Sequence, residues 1–135
     1  MYEFFDHPAD IGIRGIGKTL EEAFVEAGKA LFTLMCDINK IEKKKKVKLF
    51  CEAFDLESLF VEYLNTLLYL KDTENVVFCD FILNIRGNKL EGVGLGEDYN
   101  PEKHGERTEV KAATYSELKV EKVGDQWIAQ CVVDV

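Results

Sequence analysis

Two stretches of this chain place apolar residues three and four apart, a spacing that obliges each to lie on a second layer of structure. The first begins where Thr19 precedes Leu20-Glu21-Glu22, a capping-box spacing in which the Thr19 hydroxyl accepts from the backbone N–H near Glu22 while Glu22 reaches back. Its stripe is Leu20, Ala23, Phe24, Ala27, Leu31 and Leu34, which turns Glu21, Glu22, Glu26 and Lys29 toward water. The second opens at Asp55, a favourable N-cap, and runs through Leu56, Leu59, Phe60, Tyr63, Leu64, Leu67 and Leu68 before fading at Lys71-Asp72. Being the more apolar, it is expected to be the more deeply buried.

The covering layer comes from runs that alternate apolar and polar, at residues 10–15, 47–53, 76–86, 90–95, 109–115, 118–123 and 127–133. Gly87-Asn88 and Gly124-Asp125 each separate two such runs, where residues tolerant of positive φ close tight antiparallel turns. In the last run Trp127, Ala129, Cys131 and Val133 share the face expected to be core, and Ile128, Gln130, Val132 and Asp134 share the other. The expectation is an α+β fold, with two helices packed on one face of a mostly antiparallel sheet, forming a single two-layer domain over residues 1–135.

A chain of 135 residues buries roughly two-thirds of its unfolded surface and needs neither a structural metal nor disulfides to fold. No apolar run approaches the roughly 20 residues of a membrane helix. Lys+Arg 17 against Asp+Glu 25 gives a formal charge of -8, which counts against broad phosphate neutralisation and favours a cation or a basic partner. The concentrated positive charge is Lys40 and Lys43 to Lys46 with Lys48, read as a solvated connection, the alternative being a contact with RNA or an acidic partner. Cys36, Cys51, Cys79 and Cys131 form no CxxC and read as reduced, small hydrophobes. The first residues lack the basic and apolar regions of a secretory signal, so a cytoplasmic protein is expected.

Chemistry concentrates at two places. Asp6-His7-Pro8-Ala9-Asp10 gathers two carboxylates and an imidazole just before a strand, and hard divalent cations favour carboxylate oxygens. At the other end Asp134 and the final Val135 close an apolar strand, an acidic half-site that lacks one further carboxylate. Without a partner, the first is a turn with capping aspartates and the second a frayed end. Residues 97–106 form a long polar loop, read as mobile or as a binding surface. Gly92-Val93-Gly94-Leu95-Gly96 imitates a phosphate loop but precedes no helix, so it is rejected. No spacing suggests a nucleophile, so no catalytic residue is assigned. Lys111 shares a strand face with Ala113 and Tyr115, and spacing alone reads it as merely exposed.

Taken together, Asp6-His7-Pro8-Ala9-Asp10-Ile11-Gly12-Ile13, Leu20-Glu21-Glu22-Ala23-Phe24, Tyr63-Leu64-Asn65-Thr66-Leu67-Leu68-Tyr69, Val110-Lys111-Ala112-Ala113-Thr114-Tyr115 and Asp134-Val135 resemble, in order and over nearly the whole chain, the archease family. The resemblance implies a protein cofactor of the tRNA-splicing RNA ligase rather than an enzyme. Such a cofactor promotes guanylylation of the ligase's active-site histidine and multiple turnover in joining 2′,3′-cyclic phosphate or 3′-phosphate RNA ends to 5′-hydroxyl ends. It further implies a divalent metal, calcium being the expected ion, on Asp10, Asp134 and an oxygen of Val135, with Asp10, Lys111 and Asp134 active in ligase stimulation and Asp6 and His7 in support. The implied partner is the ligase, any RNA contact being indirect or weak, with no membrane and no nucleotide pocket. Pro8 stands where the family usually has Thr, and Ser116 where it commonly has His. The alternatives are a chaperone-like interaction module and, behind it, a small metal-dependent hydrolase using Asp10, Asp134 and His7.

Overall fold

The computed structural model describes residues Met1–Val135. Its strands divide into two antiparallel sheets rather than the one expected, with the α+β class unchanged. In the first, β1 (Tyr2–His7) pairs with β2 (Asp10–Gly17), β2 with β8 (Gln126–Asp134), and the far edge of β8 is shared end to end by β6 (Ala112–Ala113) and β7 (Lys119–Val123). In the second, β5 (Lys89–Asp98) lies between β3 (Lys45–Glu52) and β4 (Val76–Arg86). Both expected glycine turns are present, Gly87 and Gly124 having φ of 59° and 65° and joining β4 to β5 and β7 to β8.

Helix α1 (Leu20–Met35) starts as its sequence requires, with Thr19 accepting from the Glu22 N–H at 3.0 Å. Glu22 reaches back to the N–H of Lys18, one residue earlier than a capping box specifies. Helix α2 (Leu56–Glu74) is capped by Asp55, whose carboxylate accepts from the Ser58 N–H at 2.8 Å. The order of burial is the reverse of that expected. Ala23, Phe24, Ala27, Ala30, Leu31 and Phe32 of α1 are fully enclosed, because α1 packs against β2 and β8 of one sheet and β4 of the other. Small residues permit this approach: a Cβ on Gly15 of β2 would lie 2.0 Å from the Ala23 carbonyl oxygen. Between the helices and β4, the rings of Phe24, Phe32, Phe60, Tyr63, Phe78 and Phe81 pack in tilted and edge-on pairs. The Tyr63 hydroxyl, fully buried, donates to the Phe24 carbonyl at 3.0 Å and so carries no unsatisfied polar atom into the core.

Ala129, Cys131 and Val133 of β8 are buried on the core face as expected. Val132 and Gln130 on the opposite face are buried too. The Phe5 ring lies across Gly12, the β2 partner of Val132, and Gln130 is held by Arg14 and by the Glu117 carbonyl. All four cysteines are free. Burial pushes the Cys36 and Cys131 thiols up to about 11 and about 12, far from the range of a reactive thiolate. No helix is long and apolar enough to cross a membrane.

Candidate functional site

Pro8 and Ala9 are the two central residues of a β-hairpin, since His7 of β1 pairs with Asp10 of β2. The stretch from Asp6 to Asp10 is therefore the end of one strand, a turn, and the start of the next. Pro8 fixes its own φ, and Ala9 takes φ 66°, the left-handed region that the second central position of a type II turn requires. Antiparallel pairing then brings the β1–β2 hairpin to the C-terminal residues, while Met1 lies at the other end of β2, bonded to Ile16. Ile11 pairs with Val133, so the next step of the same register sets Asp10 opposite Asp134, and the Val135 N–H donates to Asp10 Oδ1 at 3.4 Å.

Lys111 arrives from the other side. Ala112 pairs with Asp134, the Lys111 N–H donates to the Asp134 carbonyl at 2.8 Å, and the register continues to place Lys111 opposite Val135. The Asp134 carboxylate and the Lys111 ammonium are exposed, and neither has an ion-pair or hydrogen-bond partner in the fold. Strand alternation separates the remaining candidates. His7 shares the face of Asp10 and Asp134, whereas Asp6, paired with Ile11, and Lys111, opposite Val135, fall on the other face, so Lys111 joins the group through its main chain and not its side chain. His7 Nε2 lies 3.5 Å from Ser116 Oγ, and its Nδ1 is buried without a hydrogen-bond partner.

The donors that meet here are the carboxylates of Asp10 and Asp134 with a main-chain or terminal oxygen of Val135. All are oxygen, the Asp134 carboxylate is uncommitted, and this set fits a hard divalent cation in kind. Side chains alone do not complete it, because no three His, Cys, Asp or Glu side chains anywhere in the chain are placed to hold a metal ion.

The segment leading to Lys111 departs from its expected form. Residues 109–115 were read as a strand, yet only Ala112–Ala113 pairs with β8. Residues 105–111 instead run as a strap across the end of α1, where the Arg107 and Thr108 N–H groups donate to the Met35 and Leu34 carbonyls at 3.1 and 2.9 Å. Those carbonyls have no partner within the helix, and the strap satisfies them. Asn65 of α2 fixes the strap's far end by accepting from the Ala113 N–H at 2.8 Å and donating to the Ala113 carbonyl at 3.3 Å. Sequence reasoning gave Asn65 no role; the available signal was an amide flanking the apolar stripe of α2.

Behind the strap, the loop at residues 97–106, expected to be mobile or a binding surface, is tied down. Helix α3 (Pro101–His104) ends in a buried imidazole whose Nε2 lies 3.1 Å from Glu97 Oε2, while its Nδ1 accepts from the Asn100 N–H at 3.0 Å. The Glu97 carboxylate also accepts from Lys103 Nζ at 2.8 Å and from the Glu42 N–H at 2.7 Å. The Lys103 ammonium and the Glu42 N–H hold its pKa down to about 2, against a smaller opposing effect of burial. Tyr99 stacks on His104, with Lys71 Nζ 5.2 Å from its ring centroid. A cleft of about 700 Å³ opens between this knot, α2 and the strap, with Lys71, Tyr99, Arg107 and Lys111 on its walls.

Two antiparallel sheets with α1 packed against both, and a hairpin joined to the C-terminal residues in an acidic tip, define a small α+β protein. Residues 2–135 match the Archease protein family (MTH1598/TM1083), and the chain belongs to that family. It is 46% identical over 140 residues to the protein archease of Pyrococcus furiosus, covering 100% of this chain and 99% of that one. It is 43% identical over 136 residues to that of Sulfurisphaera tokodaii, covering 99% and 98%. Among solved structures, protein 1598 of Methanobacterium thermoautotrophicum superposes with a TM-score of 0.87 at 33% identity, covering 99% of this chain and 98% of that one. An archease of Thermotoga maritima, described as a possible chaperone, gives 0.65 at 25% identity, covering 97% and 94%.

Proposed function

We propose that this protein is a non-catalytic activator of the tRNA-splicing RNA ligase, acting through the tip formed by Asp10, Asp134, Val135 and Lys111. It would promote guanylylation of the ligase's active-site histidine and sustain turnover in joining 2′,3′-cyclic phosphate or 3′-phosphate RNA ends to 5′-hydroxyl ends. The observation that carries this reading is the convergence of the β1–β2 hairpin and the C-terminal residues, distant in sequence, on one pair of carboxylates, with the Lys111 main chain bonded to Asp134 and its ammonium unpaired. Charges left without partners at a surface are available to another molecule's charges.

Asp10 and Asp134, with an oxygen of Val135, are the residues that would hold a divalent ion, calcium being the ion proposed. Bound there, it would neutralise the clustered carboxylates and offer a positive centre to acidic groups of the ligase. The chain's own part is to fix these oxygens by the β2–β8 register and to leave the Lys111 ammonium, on the other face of the same strand end, free for a phosphate or a carboxylate. An activator of this kind needs only a differential affinity for one ligase state, each ~1.4 kcal/mol shifting a population about tenfold. Four free thiols accord with a cytoplasmic setting.

The test is multiple-turnover RNA joining by the ligase with GTP, a divalent metal and sub-stoichiometric amounts of this chain. Product beyond one turnover per ligase is expected with the natural sequence and not with Asp10→Ala or Asp134→Ala; normal stimulation by both variants rejects the tip. Exposed Phe50, Phe54 and Ile82 favour a second reading, a chaperone-like interaction module, which would instead suppress aggregation of unrelated proteins. A hydrolase is disfavoured by His7, whose Nδ1 has no orienting partner while its Nε2 lies 3.5 Å from Ser116 Oγ.

A further inference from the structure

We infer that the free edge of β3, with the outer face of its sheet, is a docking site for an extended acidic segment of another protein, which would add to the sheet as a fourth strand. This surface involves none of the tip residues, and the inference stands apart from the function proposed above.

The edge is open along its length. β3 runs eight residues in continuous register with β5, with no proline and no bulge, and no strand lies on its other side. Outside that ladder, no main-chain N–H or carbonyl of β3 takes part in a hydrogen bond. Two of the other edges, those of β4 and β6, are blunted, while β1 and β7 also keep an unpaired edge. A bulge interrupts β4 between Phe78 and Asp80, and the Ile85 N–H of β4 donates to Glu21 Oε2 at 3.3 Å. The two main-chain groups of Ala113 in β6 are taken by the Asn65 amide. Unpaired edge groups are the template on which extended peptides add.

The side chains beside this edge select what can add. Lys46, Lys48 and Phe50 alternate on the outer face, and the register sets Lys48 in a row with Val93 and Ile82. Phe50 and Ile82 are 60% and 61% exposed and border a shallow apolar hollow of about 520 Å³. The neighbouring lysines are committed, Lys43 to Asp80, Lys44 to Glu42 and Lys45 to Asp98, whereas Lys46 and Lys48 form no ion pair. A strand with an apolar residue opposite Phe50 and carboxylates opposite Lys48 and Lys46 would satisfy both features. A second copy is disfavoured because Glu52, the one carboxylate on the outer face of β3, is already paired with Lys89 and leaves the other copy's lysines no free carboxylate. Nucleic acid is disfavoured because two uncommitted lysines on this face are too few to neutralise a run of phosphates.

The experiment uses the full ¹⁵N-labelled chain and an acetylated, amidated peptide of sequence Phe-Val-Glu-Val-Glu-Thr, followed by amide shifts and hydrogen exchange. Shift changes confined to β3 and the Phe50–Ile82 face are expected, with slowed exchange of β3 amides. The pair Lys46→Glu and Lys48→Glu should weaken binding at least about tenfold and confer binding to the peptide with Lys in place of Glu. Phe50→Ser, at an exposed position, should weaken the Glu peptide with the spectrum otherwise retained. Absence of shifts at millimolar peptide, shifts centred elsewhere, or equal binding of the Lys peptide by the natural sequence overturns the inference. So does binding of a uridine decanucleotide to this face in place of the peptide, or a concentration-dependent dimer joined through β3.

Discussion

The tip and the knot around Glu97 are both clusters of charge on strand ends, yet they are built in opposite ways. At the knot, the Glu97 carboxylate accepts from an ammonium, an imidazole and a main-chain N–H, and His104 has both ring nitrogens occupied. At the tip, the Asp134 carboxylate and the Lys111 ammonium have no partner, and the Asp10 carboxylate accepts one long bond from the Val135 N–H. A saturated cluster fixes geometry, since removing any member strands the others. An unsaturated one contributes little to folding and keeps its charges for a ligand. Substitutions should accordingly divide into those that cost function and those that cost stability.

The largest effect is expected at Asp134. Asp134→Ala should remove ligase stimulation, at least about tenfold in turnovers per ligase, while the melting temperature stays within about 1 °C, as befits an exposed side chain without partners. Lys111→Met should behave alike, with a smaller loss because it leaves the carboxylates intact. Loss of folding in either variant would mean that the tip is structural after all. Next comes Glu97→Gln, which removes the charge but keeps the shape. It should cost about 1–3 kcal/mol, read from urea unfolding, with stimulation unchanged well below the melting point.

Acid titration sharpens the same contrast. The folded-state pKa of Glu97 lies at about 2, below its ordinary 4.5. Its stabilising contribution is therefore complete above pH 4.5 and is lost as pH falls from there toward 2. Urea unfolding followed across that window should show a steeper decline for the natural chain than for Glu97→Gln. Parallel curves would place the acid sensitivity in other carboxylates.

What the sequence disclosed and what it concealed follow one physical line. Thr19, Asp55, Gly87 and Gly124 act within a few residues of themselves, so caps and turns were readable. Alternation located most strands but left their partners unspecified, and hence the division into two sheets, because pairing is settled by contacts far apart in sequence. β1 escaped notice because its interest lay in Asp6 and His7 rather than in its period. Residues 109–115 alternate like a strand, but the N–H groups just ahead of them serve the carbonyls of α1, a demand visible only once the helix end is placed. α1 was underrated because small residues score poorly as a stripe, although Ala23, Ala27 and Gly28 are what let it lie between two sheets. Of the tip, the residues were legible from the family resemblance, while their meeting rests on the β2–β8 register.

The smallest predicted effect bears on how the tip is held. Ala9 adopts φ 66° in the turn that delivers Asp10, a region costing a non-glycine residue roughly 1–2 kcal/mol. Ala9→Gly relieves that strain but adds roughly 0.5–1 kcal/mol of chain entropy to be lost on folding. The balance favours the variant by about 0.5 kcal/mol, a rise in melting temperature of about 1–2 °C. Asp10 would then sit on a more mobile turn, so stimulation at limiting divalent metal should fall while stimulation at saturating metal holds. A variant both more stable and unchanged at limiting metal would show that the turn's strain plays no part in presenting the carboxylate.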